Sequence, residues 1–182
     1  MNHDELISFY EKRRSNYAAQ LTSINKKIYL ISNLRLATAL ASLVFIYFTF
    51  INASFFYVAL PLLVTFALLV RRHSELFSKK LHLENLLTIH KHEILGLNGD
   101  TSCFLNGTEF IDHLHPYTHD LDIFGDGSLF QSVNRCNTLQ GKRELANRLA
   151  KPLASAEEIH ANQSAIQELA GKTDFRQHFQ AA

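Results

Sequence analysis

The sequence predicts an all-α protein: a two-helix transmembrane hairpin with flanking polar helices, an irregular connecting segment, and a partial helical core domain. Three observations lead to this prediction. Residues 36–70 contain no Asp, Glu, Lys, Arg or His, and 28 of these 35 positions are apolar, against 47% of the whole chain. The segments on both sides of this block space their apolar residues as helices do. Beyond residue 127, helix-capping residues recur.

Charge divides the chain in the same way. Residues 1–95 carry 11 Lys and Arg against 6 Asp and Glu, whereas residues 96–182 carry 7 against 11. The net charge of +1 therefore averages a basic half and an acidic half. An acidic distal half argues against direct binding of nucleic acid, which needs excess positive charge. Cys103 and Cys136 are isolated, so we expect two free thiols.

The uncharged block is too long for one membrane span of about 20 residues. Asn52-Ala53-Ser54 lies at its middle and predicts a turn between two helices, residues 31–51 and 55–70. We therefore assign residues 28–71 to a transmembrane helical hairpin. A signal peptide is improbable because more than 30 residues, many of them polar or charged, precede the block. A hairpin buried in a soluble core is disfavoured, since the rest of the chain is too small and polar to cover it.

Basic residues surround the apolar block and give its orientation. The turn between the two helices carries no charge, whereas both outer ends are basic. By the positive-inside rule, we expect a two-span protein of the inner or cytoplasmic membrane, with both termini cytoplasmic and the lipid bilayer as a partner. The residues that carry this signal are Lys26, Lys27, Arg35, Arg71, Arg72, Lys79 and Lys80.

Two polar helices are predicted beside the hairpin. Residues 1–27 form an amphipathic N-terminal helix, and residues 72–95 form a post-membrane helix. The hairpin brings them together, so they could pair as an antiparallel stalk, although either could instead pack on another chain. We expect a solvated face on the second helix that includes His82, His90 and His92.

The distal half divides into two segments. Residues 96–127 show no lasting period and predict an irregular connector, opened by Gly96, Asn98, Gly99 and Asp100. Residues 128–182 predict helices capped by Ser128, Thr138 and Ser155. The second of these should stop at Lys151-Pro152, and the third at Gly171. A last helix starts at Thr173 and is still running at Ala182, so we expect a fragment of a longer protein.

The densest group of potential ligands lies in the connector. It is the run His113-Leu-His115-Pro-Tyr-Thr-His119-Asp120-Leu-Asp122. A zinc site there is one alternative, but the spacing matches no metallohydrolase pattern, and carboxylates that cap turns are favoured. Residues 120–131 also resemble a calcium loop imperfectly, because Phe124 and Gln131 occupy positions that need other ligands. Lys142, Arg143 and Arg148 form a small basic cluster, best interpreted as a solvated face.

Three runs carry a family resemblance. The quoted residues are Phe104-Leu-Asn-Gly-Thr-Glu-Phe, then His115-Pro-Tyr-Thr-His-Asp-Leu-Asp-Ile-Phe-Gly, then Ser128-Leu-Phe-Gln-Ser-Val-Asn-Arg-Cys-Asn-Thr-Leu-Gln-Gly-Lys-Arg-Glu-Leu-Ala. Together they resemble the MutS family of DNA mismatch-repair ATPases, at the start of its helical core (lever) domain. Two positions depart from the pattern. Arg148 stands where a Trp is usual, and Asn162 where an Arg is usual.

The resemblance implies a membrane-anchored MutS-like protein of which this chain is the N-terminal part. ATP and Mg would belong to a nucleotide-binding domain beyond residue 182, since the chain has no GxxxxGK[ST] motif. We expect no catalytic, cofactor-binding or metal residue here, and no enzyme activity of this chain alone. The full protein is expected to be a homodimer and to touch DNA only through regions outside this chain.

Two other functions remain open from the sequence. One is a membrane-anchored helical scaffold or dimerisation module without a nucleic-acid function, acting through residues 4–27 and 72–95. The other is a metal-dependent enzyme that uses His113, His115, His119 and Asp122.

Overall fold

A computed structural model describes residues 2–151, 153 and 155–182. That part of the chain contains α-helices and two short 3₁₀ helices and no strand, so the all-α prediction is confirmed. The chain divides into two compact units, residues 15–87 and residues 1–14 with 88–182. The six helices are α1 His3–Thr49, α2 Phe56–Leu97, α3 Leu129–Val133, α4 Leu139–Ala150, α5 Ala156–Ala170 and α6 Thr173–Ala181.

Helices α1 and α2 are longer than the sequence pattern predicts. The predicted helices 4–27 and 31–51 are one helix of 47 residues, and the predicted break after residue 70 is absent from α2, which has 42. The physical reason is that residues 1–95 contain no Gly and no Pro other than Pro61. The charged residues between the polar and apolar segments are good helix formers. Pro61 lies in the second turn of α2, and the helix continues through it.

The predicted turn between the two apolar segments is confirmed. Asn52 caps a 3₁₀ helix, Ala53–Phe55, and its side-chain oxygen accepts a hydrogen bond from the Ser54 backbone N–H at 3.0 Å. The rings of Phe45 and Phe48 on α1 contact the ring of Phe55, with centroids 6.2 and 5.5 Å apart. The turn therefore satisfies its own backbone and starts α2 antiparallel to α1.

In the unit of residues 15–87, small residues lie at the most buried positions of the apolar block. Ser42 and Ala59 are each 4% exposed, and small side chains let two helices approach closely. The hydroxyls of Thr38, Ser42 and Thr49 donate to carbonyls of their own helix, at 2.7 to 3.0 Å. Three polar side chains of α1 are thus satisfied without a partner on α2.

The large apolar side chains of this unit face outward. Leu43 is 65% exposed and Tyr57 is 80% exposed. In each long helix, only 6% of the most apolar 18-residue window is buried. Both helices are long and apolar enough to cross a membrane. Low burial distinguishes them from the core helices of a soluble protein, which bury their apolar surface.

The other unit has a small aromatic core in the connector. Phe130 is fully buried, and its ring lies 5.5 Å from that of Phe110 and 5.6 Å from that of Phe124. Gly107 packs against it with a φ of +70°, a left-handed conformation that favours glycine. Helix α2 extends to Leu97, two residues into the predicted connector. From residue 98 to 127 the connector is irregular apart from one 3₁₀ helix, Thr108–Phe110.

The capping predictions for the distal helices are confirmed. Ser128, Thr138 and Ser155 each accept a hydrogen bond from the backbone N–H three residues later, at 3.1, 3.1 and 3.2 Å. Helix α4 ends at Ala150, and Gly171 follows the end of α5. Pro152, which was expected to stop α4, lies outside the described residues.

Candidate functional site

Long-range polar contacts of the unit formed by residues 1–14 and 88–182 concentrate in one place. There the first turns of α1 and the last turns of α2 meet the connector and α6. We call this cluster the helix joint. It consists of Arg13, His90, Glu93, Phe104, Arg135 and Asp174.

Arg135 is the best-connected residue of the helix joint. Its Nε donates to Oε1 of Glu93 at 2.7 Å, and its guanidinium carbon lies 3.5 Å from the centroid of the Phe104 ring. Its Nη1 also donates to the backbone carbonyls of Ser132 and Asn134, at 3.0 Å each. Arg135 is 31% and Glu93 18% exposed, so solvent screens this pair only in part. The segment after α3 is thereby fixed to α2.

A glycine makes room for this arrangement. A Cβ built on Gly96 would lie 2.9 Å from Cε2 of Phe104 and 3.4 Å from Nη2 of Arg135. Real Cβ atoms do not approach a ring carbon so closely. Gly96 therefore allows the Phe104 ring to lie directly on the last turn of α2, beneath the guanidinium.

Arg13 makes the second connection of the helix joint. Its guanidinium forms an ion pair with Asp174 at the start of α6, and its Nε donates to Nε2 of His90 at 3.2 Å. The hydrogen bond from Arg13 lowers the pKa of the Asp174 carboxyl. Helix α6 is thus bonded to the first turns of α1.

His90 corrects one sequence-based expectation. The solvated face predicted for His82, His90 and His92 is wrong at His90, which is completely buried. Its ring packs edge-to-face on Tyr10, with centroids 5.8 Å apart.

The two ends of the long helices also meet in this unit. Nε2 of His3 lies 2.9 Å from the carbonyl oxygen of Leu97. This backbone hydrogen bond raises the pKa of the His3 imidazole. Together with the contact of Arg13 and His90, it shows the predicted antiparallel pairing of the first turns of α1 with the last turns of α2.

A cavity of about 330 Å³ lies beside the helix joint. Tyr10 lines it, and burial raises the pKa of its phenol. Gln177 also lines it, is 5% exposed, and has no hydrogen-bond partner at Oε1. Leu169, Phe175 and Phe179 supply apolar walls. The cavity offers no arrangement of groups that we recognise as catalytic.

The possible metal ligands of the connector have other contacts. The rings of His113 and His119 pack edge-to-face with centroids 4.8 Å apart, and Nδ1 of His115 accepts from the backbone N–H of Tyr117 and Thr118. Within the described residues, no group of three or more His, Cys, Asp or Glu side chains could hold a metal ion. The metal-dependent enzyme therefore gains no support.

The imperfect calcium loop and the basic cluster have contacts of their own. The Asp126 carboxylate of the imperfect calcium loop accepts from Asn106 Nδ2 at 2.7 Å. In the basic cluster, Arg148 forms an ion pair with Glu144 at 2.8 Å and contacts Asn162, so the two positions that depart from the MutS pattern touch each other. Cys103 and Cys136 are free thiols, and burial raises the pKa of both.

Sequence reasoning missed the helix joint. Arg135 and Glu93 are 42 residues apart in the chain, and Arg13 and Asp174 are 161 residues apart. Neither pair belongs to a short motif. The only signal available was the position of Arg135 within the Ser128 run that carries the family resemblance.

The residues of this chain do not fit ATP and Mg, the groups that the resemblance implies. The sequence has no phosphate loop, and the part of the chain that the structure describes shows no gathered carboxylates for a cation. No chemical step through a nucleotide is derived from these residues.

Comparison with known proteins agrees with the family resemblance. Residues 113–182 match the family model MutS domain III. This match contains α3 to α6 and two residues of the helix joint, Arg135 and Asp174. No curated protein and no solved structure is significantly similar to the chain. Residues 113–182 are therefore similar to domain III of the MutS family.

Proposed function

We propose that this chain is the non-catalytic membrane anchor and lever portion of a MutS-like ATPase related to DNA repair. Two features that occur in the same chain support the proposal. The chain combines a MutS domain III segment with two helices whose most apolar windows are only 6% buried. The anchor is the hairpin of α1 and α2, and the lever begins at α3.

The helix joint gives the lever a route for coupling. Arg135 with Glu93 fixes the segment after α3 to α2, and Arg13 with Asp174 fixes α6 to α1. Helices connected in this way move as rigid bodies when a neighbouring domain changes state. A nucleotide-dependent movement of the domain III segment would therefore reach the first and last turns of the hairpin helices.

Membrane insertion is tested with two variants of α2, each of which carries one new positive charge. Leu63 and Leu81 are both exposed, but Leu63 lies inside the uncharged block and Leu81 lies beyond it. Leu63→Arg should reduce the fraction of protein that resists alkaline carbonate extraction. An arginine in the membrane core raises the free energy of insertion by about 3 kcal/mol. Leu81→Arg should behave like wild type. Release of the wild-type chain by carbonate would refute the anchor.

Orientation is tested by labelling single cysteines with a membrane-impermeant maleimide. In a background of Cys103→Ser and Cys136→Ser, we would introduce Asn2→Cys, Ser54→Cys or Gln163→Cys. With both termini cytoplasmic, only the Ser54→Cys variant reacts in intact cells after outer-membrane permeabilisation. Labelling of the Asn2→Cys variant under the same conditions would reverse the orientation.

The absence of catalysis and DNA binding by this chain is a further part of the proposal. Phosphate release from ATP by the purified chain should equal that of buffer. A gel shift at low salt should show no complex with duplex DNA. Sedimentation in detergent addresses the alternative scaffold: strong self-association without nucleotide or DNA would favour the dimerisation module, and a monomer at all concentrations would oppose it.

A further inference from the structure

A groove lies between α1 and α2 in the unit of residues 15–87, just beyond the uncharged block. Its volume is about 280 Å³. Three cations from both helices line it, Lys27, Arg72 and Lys79, together with three apolar side chains, Leu30, Ile31 and Leu76. We call it the interfacial groove. One surface thus presents positive charge beside an apolar wall.

The interfacial groove begins at the level of a bilayer's edge and extends outward from it. Arg72 follows the last uncharged residue, Val70, by two positions, and Lys79 lies two turns further along α2. At 1.5 Å per residue, these cations span about 10 Å. A headgroup layer is about 5 to 8 Å thick. Arg72 lies within that layer, and the long side chain of Lys79 can extend back toward it. Tyr29, next to the groove, is 71% exposed and is of the type enriched at this level.

The charge of the groove is not cancelled by its own carboxylate. Glu75 also lines the groove, but its two oxygens are shared between Arg71 and Arg72, at 3.5 and 3.1 Å. Arg72 is 72% exposed, so its remaining donors are accessible to a ligand. The groove therefore keeps a net positive charge from Lys27 and Lys79.

The apolar wall distinguishes a lipid from a free anion. Leu30 lines the same groove as the three cations and is 60% exposed. Leaving such an apolar side chain in water is unfavourable. An acyl chain covers this surface while the phosphate of the same molecule meets the cations. Inorganic phosphate can do only the second.

We propose that the interfacial groove binds one anionic phospholipid, with its phosphate between Lys27, Arg72 and Lys79 and an acyl chain against Leu30, Ile31 and Leu76. The proposal rests on the membrane insertion proposed above. The lipid site goes further than membrane insertion. The positive-inside rule requires basic residues near the membrane, but it does not require them to line one apolar groove.

The test uses the full chain in detergent, with lipid binding followed by native mass spectrometry. The probes are dioleoyl phosphatidylglycerol and dioleoyl phosphatidylcholine. The groove variant is Lys27→Gln, Arg72→Gln, Lys79→Gln. The matched control is Lys26→Gln, Arg35→Gln, Lys80→Gln, which removes the same charge beside the uncharged block but spares the groove and the ion pairs of Glu75. Circular dichroism confirms that both variants keep the helical content of the wild type.

The wild-type chain should bind one phosphatidylglycerol at least about tenfold more tightly than phosphatidylcholine, since each cation strengthens the attraction of anionic lipid. The groove variant should lose this preference, and the control should keep most of it. Equal loss in both variants would show general attraction and overturn the groove. Displacement of lipid by millimolar inorganic phosphate would also overturn it in favour of a simple anion site.

Failure of the groove is distinguishable from failure of the anchor. If the chain resists carbonate extraction but shows no preference for phosphatidylglycerol, the anchor stands and the groove is refuted. If carbonate releases the wild-type chain, the anchor is refuted, and the lipid proposal falls with it.

Discussion

Nε of Arg135 donates to Oε1 of Glu93 at 2.7 Å, across 42 residues of sequence. The same guanidinium covers the Phe104 ring at 3.5 Å. One side chain therefore joins α2, the connector and the segment after α3. This contact identifies where the segment that matches MutS domain III is held to the last turns of α2.

Arg135→Ala should destabilise the unit that contains the helix joint by about 2 kcal/mol, because Glu93 loses its partner and the cation–π contact is lost. Arg135→Lys should recover about half of this, since an ammonium keeps the charge but cannot make the same planar contacts. Alkylation of Cys136 across a urea titration reports the opening of this unit. Arg143→Ala, at an exposed position of α4, is the control and should leave the midpoint unchanged.

Asp174 gives the helix joint a pH dependence of known sign. Arg13 lowers the pKa of the Asp174 carboxyl below its ordinary value of 3.8. Its contribution to stability is therefore complete above about pH 5, and it is lost as the pH falls through the lowered folded pKa. Asp174→Asn should lower the urea midpoint, measured by circular dichroism, at pH 6 and have a smaller effect at pH 3. A constant difference across this range would contradict the ion pair.

Gly107 and Gly127 form a matched pair for testing the aromatic core. Both have a left-handed φ, +70° and +71°, but a Cβ on Gly107 would lie 2.6 Å from Cδ1 of Phe130, whereas none of the described residues comes within 4 Å of one on Gly127. Gly127→Ala should cost about 1 kcal/mol from backbone strain alone. Gly107→Ala should cost about 2 kcal/mol more, because Phe130 is fully buried and must move.

The same thiol-alkylation titration measures both glycine variants. Equal destabilisation by the two substitutions would show that Phe130 adjusts without cost. It would contradict the close packing of the ring on the connector backbone.

Gln177→Met should stabilise the protein by about 1 kcal/mol, since the buried Oε1 has no hydrogen-bond partner and an apolar side chain of similar shape removes that cost. Gln167→Met, at an exposed position of α5, is the control and should have little effect. Thermal unfolding in detergent compares the two. A loss of stability in the Gln177 variant would mean that its amide has a partner that the isolated chain does not show.

Local features of the fold could be predicted from the sequence because their causes are local. Ser128, Thr138 and Ser155 cap helices through backbone groups three residues away. Asn52 makes the predicted turn for the same reason. The uncharged block specifies two apolar helices by composition alone, whereas their continuity with the polar segments depends on the absence of any breaking residue.

Features that depend on distant partners could not be predicted. His90 has the spacing of a surface residue, and it is buried because Arg13 and Tyr10, almost 80 residues earlier, cover it. The helix joint was missed because its ion pairs connect segments that share no motif. The family resemblance located the Ser128 run but gave no partner for Arg135.

The small residues of the hairpin have a consequence for its response to conditions. Ser42 and Ala59 are the most buried positions in the uncharged block, and the Ser42 hydroxyl is bonded within its own helix, to the Thr38 carbonyl. At Ser42 and Ala59, the distance between α1 and α2 is therefore set by side-chain volume. It does not depend on a charge or on a hydrogen bond of the Ser42 hydroxyl between the helices. Salt and acid, which weaken the ion pairs of the helix joint, have no group to act on there.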